Sequence, residues 1–383
     1  MPITSLEYIP PIRRADRAVK PDYEGFDEAL ALAEQGQARA ALQRVFSHLF
    51  PGADVPDLGL APFTITQGSS RVTTRVEGDD VAISVALVTL PSGGSAVAAL
   101  RYVLTRLSAP GQLYQPRLRG DDVYLEFRDS LARLHPAKVL EVLRRMPIEA
   151  DACDDWLIGQ FGARPLDRAV IEDLSDDELE RAVAVWRTHW GDVEELIKES
   201  QRRRSLFFLN ELTAYAIYHV RFALPLCGFV SARIAEAAST FNDADVDPAR
   251  RETVLAKCAR EMKALSREEL RDSLGHATYA ISPRTEGTAK ILADYYGPVD
   301  YMSTIDNLRK TSRSIEAALA LIGSYTFLLA VHAWPAEVEA ELKNGLAEAS
   351  GKPWRESAAL LFSHARHVVD RYGEERNDEG GAS

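Results

Sequence analysis

Two tripeptides in this sequence have the residue types of a divalent metal site. Gly78-Asp79-Asp80 and Gly120-Asp121-Asp122 each place two adjacent carboxylates between apolar stretches, in the segments EGDDVAISV and RGDDVYLEF. A catalytic ion would need a third ligand beside such a pair. Each glycine can also adopt a positive φ, and each aspartate can cap a tight turn while staying in water. We therefore predict that both motifs are hairpin turns.

Two other pairs of side chains have spacings that occur in helical metal sites. His364 and His367 lie three residues apart near Asp370, and Glu211 and His219 lie two helical turns apart. Helix-based metal centres usually add a Glu-x-x-His pair on a second helix, and the sequence contains none. We predict that the His364–His367 pair lies on a solvated helix face, and we expect no metal and no cofactor at either pair.

The familiar sequence motifs of enzymes are missing. GxGxxG, GxxxxGK[ST], HExxH and GxSxG do not occur, which favours a non-enzymatic protein. A catalytic group can still assemble in space from distant residues. An enzyme or small-molecule sensor with a pocket in a helical bundle therefore stays open as an alternative, and convergence of His276, His332 or Glu211 would favour it.

Composition and charge narrow the class of protein. The chain has 383 residues, 46% hydrophobic and 27% charged, which suits two or three globular domains. Its net charge is −12, and most of the acidity follows residue 150. An acidic chain repels phosphate backbones, so we expect no nucleic-acid partner. The short basic run Arg202-Arg203-Arg204 is typical of a helix C-terminus.

Cysteine use and the N-terminal segment predict a cytoplasmic location. Cys153, Cys227 and Cys258 are far apart and lack the spacing of a zinc site or a disulfide framework. The segment MPITSLEYIPPIRRADRAVKP has prolines and charges where a signal peptide needs an apolar run.

The hydrophobic period changes along the chain and predicts an α+β domain followed by a helical domain. Residues 1–24 are rich in proline and predict an extended arm. Residues 25–164 show a helix, a hairpin or three strands with period-two alternation, a helix, a second hairpin and a closing helix. This order is typical of an antiparallel sheet with helices on one face.

Residues 165–373 predict an all-α helical bundle without a convincing strand, and residues 374–383 a disordered acidic tail. Ser175 with Glu178 and Ser266 with Glu269 are capping boxes that open two of the helices. The expected helices cover about 176–200, 205–236, 248–264, 267–280, 285–296, 300–333 and 336–372, with a break in the last near Gly351-Lys352-Pro353.

Two stretches are apolar enough to raise the question of a membrane. Residues 206–230 contain Glu211 and Arg221, and charges at mid-bilayer cost roughly 2.5–3.5 kcal/mol each, so we reject this stretch as a span. Residues 315–334 are more apolar, but their small side chains also suit close helix packing. We expect a central bundle helix and no membrane partner, with conditional insertion as the third alternative.

Residues 26–164 resemble the type III secretion chaperone fold, in the broader YbjN-like branch. The resemblance rests on element order and apolar spacing in DDVAISVALVTLPSGGSAVAALRYVLTRL, GQLYQPRLRGDDVYLEFRDSL and HPAKVLEVLRRMPIEADACDDWLIGQFG. It implies a dimer-forming bacterial module that binds an extended segment of another protein and has no catalytic residues. The long helical region departs from these small single-domain chaperones.

We therefore predict a cytoplasmic chaperone-like adaptor whose α+β module docks a partner polypeptide and whose helical domain scaffolds an assembly. The expected partner is another protein, unidentified and encoded nearby, and a homodimer is a further expectation. Aromatic side chains of the second hairpin and of the glycine-proline loop ADYYGPVDYM are the candidate contact residues, since open sheets and loops commonly carry binding surfaces. They are Tyr114, Tyr124, Phe127, Tyr295, Tyr296 and Tyr301.

Overall fold

The N-terminal part of the chain is an α+β module, as predicted. A computed structural model describes residues 3–14, 23–50, 53–107, 112–243, 245–311 and 313–373. The helices of the module are α1 (Tyr23–Glu34), α2 (Ala38–Leu49), α3 (Gly94–Leu107) and α4 (Pro136–Phe161). Its strands are β1 (Phe63–Gln67), β2 (Ser70–Glu77), β3 (Asp80–Thr89), β4 (Gln115–Arg119), β5 (Asp122–Ser130) and β6 (Arg164–Pro165).

The five main strands form one antiparallel sheet in the order β1-β2-β3-β5-β4, and the short β6 pairs with the end of β3. Side chains alternate between its two faces. Val123, Leu125 and Phe127 point into the core, whereas Tyr124 and Glu126 lie on the opposite, partly exposed face. Helix α4 packs against β2 and β3. The predicted layout of helices on one face of an antiparallel sheet is confirmed.

Both Gly-Asp-Asp motifs are hairpin turns, as predicted. Gly78 and Gly120 have φ of 63° and 64°, which favours glycine at the first central position of a two-residue turn. The second aspartates make ordinary contacts: Arg128 Nε lies 3.1 Å from Asp80 Oδ2, and Thr89 Oγ1 donates to Asp122 Oδ1 at 2.7 Å. The two turns lie at opposite ends of β3, about 30 Å apart, so their carboxylates cannot share one ion.

The rest of the chain is mainly helical. Its helices are α5 (Asp176–Arg203), α6 (Leu206–Ala223), α7 (Gly228–Asn242), α8 (Pro248–Ala264), α9 (Arg267–Arg271), α10 (Ala289–Tyr296), α11 (Asp300–Lys310), α12 (Ser314–Val331), α13 (Ala336–Ala349) and α14 (Trp354–Tyr372). Both predicted capping boxes are present, at Ser175 with Glu178 and at Ser266 with Glu269. The basic run Arg202–Arg204 ends α5, where Arg203 pairs with Glu199 at 2.6 Å.

Several predicted helix bounds were too long, and the prediction of no strand after residue 165 was wrong. The expected helix 205–236 is divided at Pro225, which disfavours helical backbone in the residue before it. The expected helix 267–280 ends at Arg271, and 300–333 is two helices. Four two-residue strands occur: β7 (Glu172–Asp173) pairs with β8 (Gly275–His276), and β9 (Thr285–Glu286) pairs with β10 (His332–Ala333). Strands this short carry no period-two pattern.

Buried apolar side chains form two clusters. One runs from Ala29 to Ala163 and includes a single distant residue, Ile281. The other comprises the helical region together with Leu6 and Ile12 of the N-terminal arm. Ile281 of the helical region thus contributes to the core of the module, and the N-terminal arm contributes to the core of the helical region. The exact domain limits stay a prediction.

Helix α12 is the central helix of the helical region. It is long and apolar enough to cross a bilayer, but most of its residues are buried against α6, α11, α13 and α14. Small side chains such as Ala317, Ala320 and Gly323 allow the close approach to α6. Its position agrees with the predicted central bundle helix.

Residues 3–14 lie extended along the helical region. Ile12 N donates to Ala223 O at 2.8 Å, and Trp354 Nε1 donates to Ile3 O at 2.8 Å. The remainder of the predicted arm, 1–2 and 15–22, and the predicted disordered tail, 374–383, lie outside the described residues.

The hairpin turn predicts opposite effects for two glycine substitutions. A Cβ at Gly120 or at Gly191 meets no atom within 4 Å, so only backbone conformation separates the two sites. Gly120→Ala should destabilise the fold by about 1–2 kcal/mol because φ is positive there. Gly191→Ala, inside α5, should stabilise it by about 0.5–1 kcal/mol. Calorimetric unfolding temperatures would show this, and equal shifts of the same sign would contradict the turn geometry.

Candidate functional site

The three candidate residues of the second hairpin do not form one exposed surface. Tyr114 and Phe127 are each 3% exposed and belong to the core of the module, so the expectation that they are surface residues was wrong. Phe127 follows the inward period of β5, and Tyr114 is buried beside the start of β4. Tyr124 alone lies on the open face of the sheet, where the Arg119 guanidinium covers its ring at 4.6 Å.

The tyrosines near the glycine-proline loop pack inward, so this loop is not the exposed contact surface that we expected. Tyr296 is buried, with its hydroxyl 3.1 Å from Ser324 Oγ. Tyr301 donates to Glu211 Oε2 at 3.2 Å and to Ala320 O, and burial raises the pKa of Glu211 to about 7. Tyr295 is half-buried against Phe327.

The histidines considered for metal binding have other partners. His219 Nδ1 lies 3.1 Å from His189 Nδ1 inside the bundle, and burial lowers the pKa of His219 to about 4. His364 Nδ1 lies 3.0 Å from the Tyr325 hydroxyl. In both places the rings pack against aromatic neighbours, so the predicted solvated face was wrong for His364, which is partly buried.

Exposed apolar side chains concentrate on the module. Among the residues that the structure describes, eight large hydrophobic side chains are exposed, and six of them lie between residues 60 and 148. Val97 and Leu104 project from α3, seven residues apart on one helix face, and are 53% and 55% exposed. Helix α3 packs beside β4, where Leu118 is 53% exposed. We call Val97, Leu104 and Leu118 the α3–β4 face.

The helical region donates an extended segment to the other edge of the sheet. Ala280 N donates to Thr66 O at 3.0 Å, and Gly68 N donates to Thr278 O at 2.9 Å. The buried Gln67 amide bonds both backbone groups of Ile281, through Nε2 to O at 2.7 Å and from N to Oε1 at 3.0 Å. This edge therefore already holds an extended peptide, which belongs to the same chain.

Three carboxylates of α4 meet at the junction between module and helical region. Asp151, Asp154 and Asp155 have ligand oxygens within 4.8 Å of one another and are the one group of three or more metal-ligand side chains found within the described residues. Arg168 pairs closely with Asp155, and its Nε lies 3.5 Å from Asp154 Oδ2. The guanidinium thus occupies the place at which a cation would balance these carboxylates.

Burial dominates the titration of this cluster. It raises the pKa of Asp155 to about 6, although Arg168 opposes the shift. The pKa of Asp154 is also raised well above its ordinary range, by burial and by the neighbouring Asp155 charge. Asp154 Oδ1 is buried and has no hydrogen-bond partner among the described residues. Asp151 accepts from Ser69 N at 3.0 Å and from the Ser69 hydroxyl.

A cleft of about 270 Å³ opens beside this cluster. Its walls come mainly from the N-terminal arm, α4, α6, α7 and residues 275–284. The polar side chains in it are Arg13, Arg14, Asp151, Asp155, Arg221 and His276, among others. His276, Glu211 and His332 are the residues whose convergence would favour a ligand pocket. Of these, His276 lines the cleft, whereas Glu211 lies in the bundle and His332 lies beside Thr285.

Sequence reasoning missed this site, although part of the signal was present. Asp151, Asp154 and Asp155 are spaced i, i+3 and i+4, so they share one face of the helix predicted there. Three acids on a face that continues an apolar stripe indicate burial with a counter-ion. No local pattern indicates that Arg168 is that counter-ion.

Comparison with models of known protein families gave no match for this chain, and no curated protein matched it either.

The aspartate cluster predicts that neutralising Asp154 stabilises the fold, and that the size of this effect depends on pH. The pKa of Asp155 is about 6 when folded and about 3.9 when unfolded, and that of Asp154 is also raised, so the stability of the cluster falls as the pH rises through about 6. Asp154→Asn should raise the unfolding temperature at pH 8 by on the order of 2 °C, and by less at pH 5.

The exposed Asp79→Asn is the matched control, and its effect should not change between the two pH values. A larger loss of stability at pH 8 than at pH 5 for Asp154→Asn would mean that the Asp154 charge is needed.

Proposed function

We propose that the protein is a non-enzymatic adaptor that binds a partner polypeptide on the α3–β4 face of its α+β module. The observation that carries this proposal is the concentration of exposed apolar side chains there, at Val97, Leu104 and Leu118. Contiguous exposed apolar surface with a polar rim is characteristic of protein-binding sites. The helical region would then serve as the scaffold that connects the module to a larger assembly.

The charges around this face indicate the chemistry of the partner. Arg101 is exposed on α3, between Val97 and Leu104 on the same side of the helix. A segment that combines apolar anchors with acidic residues would complement both features. The spacing of Val97 and Leu104 suits an amphipathic helix lying along α3.

The edges of the sheet favour docking of a partner helix on α3 over the addition of a partner strand to the sheet. Part of the β1 edge is occupied by residues 278–281, and the β4 edge contains Pro116, which has no N–H to donate. The YbjN-like resemblance supports a polypeptide-binding role in general terms. A homodimer and a cytoplasmic location remain part of the same proposal.

The proposal predicts which variants lose the partner. Val97→Asp combined with Leu104→Asp should reduce partner binding at least tenfold, because charges replace the apolar anchors. Binding would be measured by calorimetry with the product of a neighbouring gene that co-purifies with the full-length protein. Leu206→Asp is the matched control, since Leu206 is 59% exposed but lies on the helical region.

Both the double variant and the control should unfold near the wild-type temperature, because the replaced side chains are exposed. The proposal fails if no neighbouring gene product binds, or if the double variant binds as tightly as the Leu206→Asp control.

A further inference from the structure

The N-terminal arm, residues 3–14, lies in a groove of the helical region and is held there largely through its backbone. Gly351 N donates to Leu6 O at 2.9 Å, and Tyr8 N donates to Ser350 Oγ at 2.9 Å. Main-chain bonds of this kind accept any extended segment, whereas side-chain pockets decide which segment fits. We call this seat the arm groove; residues that line it include Phe222, Leu346, Ser350 and Trp354.

Two apolar side chains anchor the arm in the groove. Leu6 and Ile12 are 6% and 5% exposed and belong to the core cluster of the helical region. Between them the ring of Tyr8 stacks on Phe222, with the ring centroids 6.4 Å apart. The groove is therefore built for an extended segment that carries apolar side chains at these two positions.

The arm fills the groove incompletely next to the first anchor. A cavity of about 20 Å³, large enough for one water, remains beneath the arm. Its lining includes Leu6 and Glu7 of the arm and Tyr215 and His219 of α6. Well-packed interiors leave few voids of this size, so the arm is not the best possible occupant at this point.

A half-buried carboxylate on α5 lacks a cation at the same place. Asp192 makes no hydrogen bond and no ion pair with any residue that the structure describes. Burial and the Glu7 charge raise the pKa of Asp192 to about 6, and burial together with the Asp192 charge raises the pKa of Tyr215, which lines the cavity. A half-buried charge is costly without a partner of opposite sign. The arm thus places an acid where the groove favours a base.

We propose that the arm groove binds an extended segment of another polypeptide that carries a lysine or arginine in the place of Glu7, and that the arm is its displaceable intramolecular occupant. The basic side chain would pair with Asp192, while apolar side chains take the seats of Leu6 and Ile12. This surface lies on the helical region, so the proposal goes beyond binding at the α3–β4 face and does not depend on it.

The test first opens the groove in the full-length protein. Leu6→Asp should weaken the seat of the arm, because it places a charge at a buried anchor. Two labelled peptides with the sequence of residues 1–14, one unchanged and one with Glu7→Lys, are then titrated by fluorescence anisotropy. Both should bind the Leu6→Asp protein saturably, and the Glu7→Lys peptide about fivefold more tightly.

The wild type and the Leu206→Asp control should bind both peptides at least tenfold more weakly than the Leu6→Asp protein. In them the tethered arm competes at a local concentration on the order of 1 mM. Leu206 is exposed on the helical region, so this control introduces the same charge without unseating the arm.

Charge at Asp192 is tested in the same background. Asp192→Asn added to Leu6→Asp should abolish the fivefold preference for the Glu7→Lys peptide. Asp177→Asn is the matched control, an exposed aspartate at the start of the same helix, and should preserve the preference. Adding Val97→Asp with Leu104→Asp should leave peptide binding unchanged, so a failure of the α3–β4 face and a failure of the groove can be told apart.

A second measurement keeps the proposal testable if Leu6→Asp does not fold. Glu7 is exposed, so Glu7→Lys in the otherwise unchanged chain should fold and raise the unfolding temperature by about 1–2 °C, and Asp192→Asn should remove this gain. The proposal is overturned if neither peptide binds a folded Leu6→Asp protein saturably, or if the wild type binds them as tightly. It is also overturned if Glu7→Lys improves neither peptide binding nor the stability of the chain.

Discussion

The pairing of residues 278–281 with the end of β1 is the contact on which the arrangement of the two parts depends. The Gln67 side chain replaces a backbone partner by bonding both N and O of Ile281, and all of these atoms are buried. Ile281 then packs into the core of the module. A segment between two helices of the helical region has thus become part of the sheet, and neither its backbone groups nor its side chain could be satisfied if the module moved away.

This junction also concentrates charge that contributes little to stability. Asp151, Asp154 and Asp155 share the single counter-ion Arg168, and burial raises the pKa of each carboxyl. On the other side of the cleft, Arg221 makes no ion pair with a carboxylate of the described residues. Buried or half-buried charges that are incompletely paired usually cost stability, and they cluster at sites that bind something. The stability lost at the junction is offset by the two large apolar clusters on either side of it.

Features that repeat along one helix or strand could be predicted from the sequence. Features that depend on contacts between residues far apart in the chain could not. Period-two alternation around Val123, Leu125 and Phe127 identified the sheet and its buried face, but the same pattern should have excluded Phe127 from the surface. Apolar spacing identified the helices, yet Tyr296 and Tyr301 were taken for loop residues although they begin or end helices that pack inward.

The junction between the module and the helical region could not be predicted from the sequence, for a physical reason. Residues 275–279 are extended because their hydrogen bonds go to β7 and β1, some 100 and 210 residues earlier in the chain, and no local propensity encodes this. Helix capping at Ser266, by contrast, depends on a residue three positions away and was predicted correctly. The acidic face of α4 could have been read from its spacing, but its partner Arg168 and the cleft beside it could not.

The occupied edge changes what an open antiparallel sheet can offer to a partner. In an isolated module the β1 edge would present unpaired backbone groups to any extended peptide. Here the chain covers Thr66 and Gly68 with its own residues, and the opposite edge strand contains Pro116, followed by the exposed Arg117 and Arg119. Both edges thus disfavour strand addition, whereas the outer face of α3 retains its exposed apolar side chains. The structure of the edges is therefore the reason to expect recognition through side chains on a helix rather than through backbone pairing.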